Sequence, residues 1–378
     1  MAAIYLDNAA TTPLDPRVAQ AMHAFMEAET FGNPSSIHGF GREARMHLEQ
    51  ARATVAKAIG AEPSEIVFTS GGTEADFLAL TGLMAGSGRS ALVASAIEHH
   101  AVLHTAEWMA ENATVVSYVR PGAQGVVSVV DVLAQVSERT GLVSLMWVNN
   151  ETGAIQPIEA LAAALAERGV ALHTDAIQAL PTLPIDVSGL PVSSLSMSGH
   201  KIAGPKGVGA LYLRKGTPYR SPLRGGSQER GRRAGTENLA GIIGFARAME
   251  LLMQERTQRV TQIQRLRERL ITGLKASVEG VLFHGAQVQA PQIVHFAIPG
   301  LLAQTVLMNL DLAGIAASSG SACTAGSIEP SHVLLAEGCA DALLKSSLRF
   351  SLSASNTVEE IDQVVTQLAA IVLRLRKH

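Results

Sequence analysis

The sequence predicts an α/β protein, with a large domain built on a mostly parallel seven-stranded sheet between helices and a smaller α+β domain beside it. Three observations carry this. Short apolar or β-branched runs alternate with helical stretches through the first half of the chain, the rhythm of βαβ units. That alternation then gives way to one long helix rich in Arg, Glu and Gln. Finally, the chain has 378 residues, whereas single cores stop growing at about 250 to 300 residues, so two domains are expected.

Seven runs supply the large sheet: Ile66 to Thr69, Ala91 to Ala94, Val115 to Tyr118, Leu142 to Val148, Val170 to Thr174, Leu195 to Met197 and Gly207 to Leu213. The helix that follows extends over about Leu239 to Ala276, with the period and charge pairing of a surface or inter-domain helix. The domain boundary falls within it, so that residues 14–255 form the large domain and 1–13 with 256–378 the small one. Gln292 to Ile298, Ile315 to Ala317 and Ser347 to Leu352 read as strands of the small domain. Its last helix, Val358 to Leu375, opens with Thr357 and Glu360 spaced as a capping box.

Composition narrows the function. A formal net charge of −3 offers no global field for nucleic acid or an anionic membrane. Hydrophobic residues make up 47%, and apolar surface left over from the cores suits a subunit interface. The first eight residues lack a basic segment followed by an apolar one, and no run approaches 18 apolar residues, so a cytoplasmic protein is expected. The two cysteines, Cys323 and Cys339, have neither the number nor the spacing for a disulfide scaffold or a metal site.

Chemistry concentrates at three places. After the strand Ile66 to Thr69 comes Ser70-Gly71-Gly72-Thr73-Glu74-Ala75-Asp76 and an apolar helix. Glycines allow close backbone approach, and a helix N-terminus favours a phosphate. The same residues also make a sound helix cap, and the spacing is that of neither a dinucleotide fingerprint nor a P-loop. Second, the apolar strand ending at Thr174 delivers Asp175 at its carboxyl end, where ligands sit in open α/β sheets. Third, the next strand delivers Ser198-Gly199-His200-Lys201. An aspartate and a lysine so placed make sense together for pyridoxal 5′-phosphate (PLP): the carboxylate keeps the pyridine nitrogen protonated and the lysine binds the aldehyde, with Gln178 near the ring hydroxyl. Taken singly, each also reads as a cap or a rim residue.

At this point the sequence resembles the cysteine desulfurases of the NifS-like group, class-V aminotransferase-type enzymes of PLP fold type I. The likeness covers nearly the whole chain, through Tyr5 to Thr12, Asn33 to His38, Ser70 to Asp76, Glu98 to Val102, Asn149 to Gly153, His173 to Gln178, Ser198 to Lys201, Gly225 to Asn238, and Ser318 to Gly326 with Glu329 to Val333. The resemblance implies that Thr73, Ser198 and His200 bind the cofactor phosphate, with Gly72 of the glycine turn also cofactor-binding, and that Thr236 reaches the phosphate of the neighbouring subunit, hence a homodimer. It implies that His99 stacks on the ring and moves protons, and that Asn150 and Arg349 hold the substrate carboxylate. Cys323 lies in Ala317 to Gly326, almost entirely small residues, a composition that admits a thiol to crowded places. The resemblance makes it the nucleophile that takes sulfur from L-cysteine as a persulfide, with Lys201 and His99 as acid/base groups and a sulfur-acceptor protein downstream, in iron–sulfur cluster assembly or tRNA thiolation for example.

Phe77 stands where the family usually has Asn, which affects packing under the phosphate helix. The segment after Arg349 lacks the Gly-Arg or Gly-Lys of some relatives. Arg224, Arg230, Arg232 and Arg233 form a basic cluster that reads either as a surface for an acidic acceptor or as a solvated loop. A selenocysteine lyase, another β-eliminase and a non-catalytic relay homologue are the rival readings; a second thiol at Cys323 separates the first two, and the intact Asp175, Lys201, Cys323 and Arg349 the last.

Overall fold

The computed structural model of the chain describes residues 3–28, 30–122, 124–320 and 330–377. In chain order the strands are β1 (Ile4–Tyr5), β2 (Ile66–Thr69), β3 (Ala91–Ser95), β4 (Val115–Val119), β5 (Thr140–Ser144), β6 (Ala171–Asp175), β7 (Ser194–Ser198), β8 (Gly209–Leu213), β9 (Leu282–Phe283), β10 (Ile293–Ala297), β11 (Ile315–Ala316) and β12 (Ser347–Ser351).

Strands β2 to β8 form one seven-stranded sheet in the order β2-β8-β7-β6-β5-β3-β4. Only β8 runs against its neighbours, β2 and β7. Because it opposes both, β2 points the same way as β7, and the carboxyl ends of β2, β6 and β7 open on one edge. Strands β5, β7 and β8 are buried at every position, as expected where helices cover both faces. Strand β4 sits at the edge with Val115 and Tyr118 exposed.

The run Leu142 to Val148 is shorter as a strand than its composition suggests. Beyond Ser144 the chain leaves the ladder, although Leu145 N still donates to His173 O and Trp147 N to Asp175 O. A buried apolar run reads alike in either state. Two-residue strands β1 and β9, which pair with β11 and β10, are too short to leave a pattern.

The second part of the chain forms a three-stranded antiparallel sheet, β12-β10-β9, packed on the helix Val358–Leu375, whose Thr357/Glu360 capping box is formed. The 39-residue helix Leu239–Ser277 serves both cores. Ile242, Phe245 and Met249 pack with the large sheet, and Ile263, Leu266 and Leu270 pack with Phe296, Phe350 and Ile4. Among the described residues no helix is long and apolar enough to cross a membrane.

Candidate active site

The carboxyl edge of the large sheet borders a cavity of about 540 Å³. The end of β6 brings Asp175 to it and the end of β7 brings Ser198, followed by a short turn, Gly199–Lys201, that carries His200 and Lys201. Helix Gly72–Ser87 starts right after β2, so its first turn, with Gly72 and Thr73, faces the same space. His99, at the N-cap of helix His100–Glu111, Gln178, Asn150 and Arg349 complete the lining. Sequence positions spread over nearly 280 residues are thus brought together by one sheet edge and by β12.

Crossing this edge is the N-terminal segment, and its backbone carbonyls hold the lysine. Lys201 Nζ donates to Ala9 O at 2.5 Å and to Ala10 O at 2.8 Å, and Gln178 Nε2 donates to Ala9 O at 2.7 Å. Burial, helped by the nearby Arg349 charge, brings the Lys201 ammonium down to about 8. A lysine so placed loses its proton far more readily than one in water.

His99 is pushed down to about 4 by burial and then by the Lys201 charge, so its ring is neutral at pH 7. Its Nδ1 accepts from Ala101 N at 3.1 Å, which leaves the proton on Nε2. His200, also lowered to about 4 by burial, has its Nδ1 3.1 Å from Thr11 Oγ1.

Asp175 Oδ1 accepts from Ile177 N at 2.9 Å, yet burial, and next the charge of Asp76, raise its carboxyl to about 7. Under it lies a buried polar layer that sequence reasoning did not assign. His173, two residues earlier on β6, shares its face; its Nδ1 is 2.8 Å from Ser194 Oγ and its Nε2 3.2 Å from Asp76 Oδ1. Burial raises Asp76 to about 7 and lowers His173 to about 4, so it weakens the charge on both members of this contact. Glu98, raised by burial to about 8, accepts from Ser95 Oγ and from Met146 N, each at 2.8 Å. The available signals were an acid inside an apolar helix and a histidine at period two from the aspartate.

Does this site fit PLP? Ser198 Oγ is buried and has no hydrogen-bond partner among the described residues, although it lines the cradle with Gly71, Gly72, Thr73 and His200. A buried hydroxyl left so is what a phosphate acceptor would satisfy. The cradle is also shaped by close packing: a Cβ on Gly209 of β8 would fall 2.5 Å from Met197 O and 2.9 Å from Gly71 Cα. With a carboxylate, a low-pKa lysine and a helix N-terminus on one cavity, the residues present suit that cofactor.

The class-V aminotransferase pattern matches residues 4–364. Cysteine desulfurase IscS of Clostridium botulinum is 41% identical over 99% of this chain and 95% of its own length. Cysteine desulfurase NifS of Azotobacter vinelandii is 43% identical over 100% of this chain and 94% of its own. The chain belongs to the cysteine desulfurase family. The solved structure of a NifS-like protein superposes with a TM-score of 0.92, at 36% identity, covering 98% of this chain and 100% of that one. Like its desulfurase relatives, the chain has the α/β fold of fold-type I PLP enzymes.

Among the described residues, one predicted site residue does not line the cavity. Thr236 lies in the segment before helix Leu239–Ser277 and is not among the residues that line the cavity or the cradle. Cys323 lies outside the described residues. Three of the four clustered arginines are tied to the chain itself: Arg230 to Glu49, Arg232 to Ser64 O and Arg233 to Glu74. Phe77 packs half-buried against Trp108, ring centroids 6.1 Å apart. Cys339 is half-buried, with its thiol raised by burial and by Glu337, the opposite of what a thiolate nucleophile needs.

Proposed function

We propose that this chain is a PLP-dependent cysteine desulfurase, which takes the sulfur of L-cysteine, releases L-alanine and holds the sulfur as a persulfide on Cys323 for a sulfur-acceptor protein. The observation that carries the reading is the convergence of Lys201, Asp175, the Gly72–Thr73 cradle and Arg349 on one cavity. When bound, PLP supplies an electron sink for the pair left at the substrate Cα. Gly72, Thr73, Ser198 and His200 would hold its phosphate, Asp175 its ring nitrogen, Gln178 its ring hydroxyl and His99 its ring face.

The chain's own residues do the rest. Arg349 and Asn150 bind the substrate carboxylate, a task that suits the planar donor fork of arginine. Lys201, with its proton loosened by burial, takes the proton from Cα and can return one there. His99, neutral with its proton on Nε2, would exchange protons with the substrate in the cavity. The Cys323 thiolate attacks the substrate sulfur, so that an S–S bond forms as the Cβ–S bond breaks; the electron pair of that bond stays with the carbon skeleton, which takes up protons and leaves as L-alanine. Cys323 has this part by family resemblance.

The reading extends to a homodimer in the cytoplasm, with Thr236 serving the partner's phosphate. Phe31 and Phe40, ring centroids 5.0 Å apart and 76% and 55% exposed, and Ile37, 91% exposed, support a covered apolar face. It also includes a large PLP-binding domain over 14–255 and a small one over 1–13 and 256–378, a division supported by the two cores that share helix Leu239–Ser277.

The test is to measure L-alanine and protein-bound persulfide formed from L-cysteine by the PLP-loaded protein and by Cys323→Ala. The parent yields both and the variant neither. If Cys323→Ala makes alanine as fast as the parent, the sulfur-carrier assignment fails and a β-eliminase becomes the better description.

A further inference from the structure

Asp7 lines the cavity, and the functional reading gives it no part. Its Oδ1 accepts from Arg349 Nη2 at 2.9 Å, while Arg349 Nη1 donates to Asn150 O at 2.8 Å. Arg349 Nε is buried with no hydrogen-bond partner among the described residues. The arginine side chain is 5% exposed and the aspartate 24%, so the carboxylate is the more open member of a pair that lines the cavity.

Asp7 is fixed there by its backbone. It bridges to Ser351 on β12, two residues from Arg349, Tyr5 Oη donates to Asp7 O at 3.1 Å, and Asn8 Nδ2 donates to Ser351 O at 2.8 Å. Burial works against the charge of the other titratable groups described around it, Lys201 included. Glu151 is raised by burial and bonded to Ser331 Oγ, Asp175 is raised to about 7, and His99 and His200 are lowered to about 4. Asp7 is the carboxylate that bonds the Arg349 guanidinium among the described residues.

We propose that Asp7 is a specificity-determining residue: it holds Arg349 for a single substrate carboxylate and repels amino acids whose side chain carries a second negative charge. This rests on the reading of Arg349 as the carboxylate site. A cysteine substrate brings one carboxylate and a thiol that is largely uncharged at pH 7, so it meets from Asp7 only the opposition to its α-carboxylate that every amino acid shares. For a second carboxylate about 6 Å from Asp7, at an effective dielectric of about 40, the repulsion weakens binding about tenfold.

The experiment compares apparent dissociation constants of L-alanine and L-aspartate, read from the visible absorbance of the PLP-loaded protein, in the parent and in Asp7→Asn, Asp7→Glu and Arg349→Gln. Taking both amino acids on the same sample makes their ratio insensitive to the folded fraction. The preference for alanine should fall about tenfold in Asp7→Asn and persist in Asp7→Glu. An unchanged preference in Asp7→Asn, or an equal loss in Asp7→Glu, overturns the assignment of Asp7. Arg349→Gln should weaken both amino acids; if it weakens neither, the carboxylate reading of Arg349 falls by itself, and this proposal with it.

Discussion

Replacing Glu229 by Gln tests how the loop ahead of helix Leu239–Ser277 is fastened to the phosphate cradle. Glu229 Oε2 accepts from Arg52 Nη1 at 2.6 Å and from Phe68 N at 2.9 Å, and Oε1 accepts from Arg52 Nη2 at 2.9 Å. The side chains are 1% and 3% exposed, and the guanidinium lies 4.9 Å from the Phe68 ring centroid. Glu229 and Arg230 also occupy left-handed backbone conformations, with φ of 47° and 58°, a strain that the clamp must overcome. Gln keeps the shape but takes from Arg52 its buried counter-charge, leaving only the half-exposed Glu49 carboxylate 3.1 Å from its Nε, which costs about 3 to 5 kcal/mol. For 378 residues, at an unfolding entropy of about 2.1 cal/mol/K per residue, 4 kcal/mol lowers Tm by about 5 °C. Thermal unfolding followed by circular dichroism measures this. Joint replacement of Arg52 and Glu229 by Met should recover most of the loss, because no lone charge remains. A Glu229→Gln variant melting within about 1 °C of the parent would refute the reasoning. Because Phe68 precedes Thr69 and the cradle, the variant should also bind PLP more weakly.

Stability of the cofactor-free protein should fall as pH rises from 6.5 to 8. Asp175 and Asp76, raised to about 7, and Glu98, raised to about 8, hold protons in the folded state that the unfolded chain releases near pH 4, so the slope is negative. His99, His173 and His200, lowered to about 4, act in the opposite sense but only up to about pH 6.5, where the unfolded histidines lose their protons. Urea titrations should show a drop of about 3 kcal/mol over that window, and a flat or rising profile would contradict it. Loading with PLP should reduce the drop by giving Asp175 a cationic partner. Gly209→Ala, which drives a methyl into Met197 O and the Gly71 backbone, should cost about 1 to 3 kcal/mol and weaken cofactor binding by displacing the cradle. Unchanged PLP affinity in that variant would show that the cradle does not depend on this contact.

Much of the architecture was legible because its signals are local. The seven strand runs, the capping box at Thr357 and Glu360 and the long amphipathic helix each depend on residues within a few positions of one another. The strand and turn around Asp175 and Lys201 were legible for the same reason, as residues at strand ends open on the sheet edge. The signals failed at the two-residue strands β1 and β9, and where an apolar run continued past its strand, as after Ser144.

The sequence by itself determined that this chain folds as an α/β protein of the cysteine desulfurase family and which residue types it has for PLP chemistry, because periodicity and motif spacing are written along the chain. Only the tertiary structure decided how those groups are tuned. That the N-terminal carbonyls of Ala9 and Ala10 hold Lys201, that Asp7 occupies Arg349, and that Asp76, His173 and Glu98 lie beneath the Asp175 site all depend on contacts between segments far apart in sequence. Burial and neighbouring charge, which set the protonation of these groups, exist only once the chain has folded.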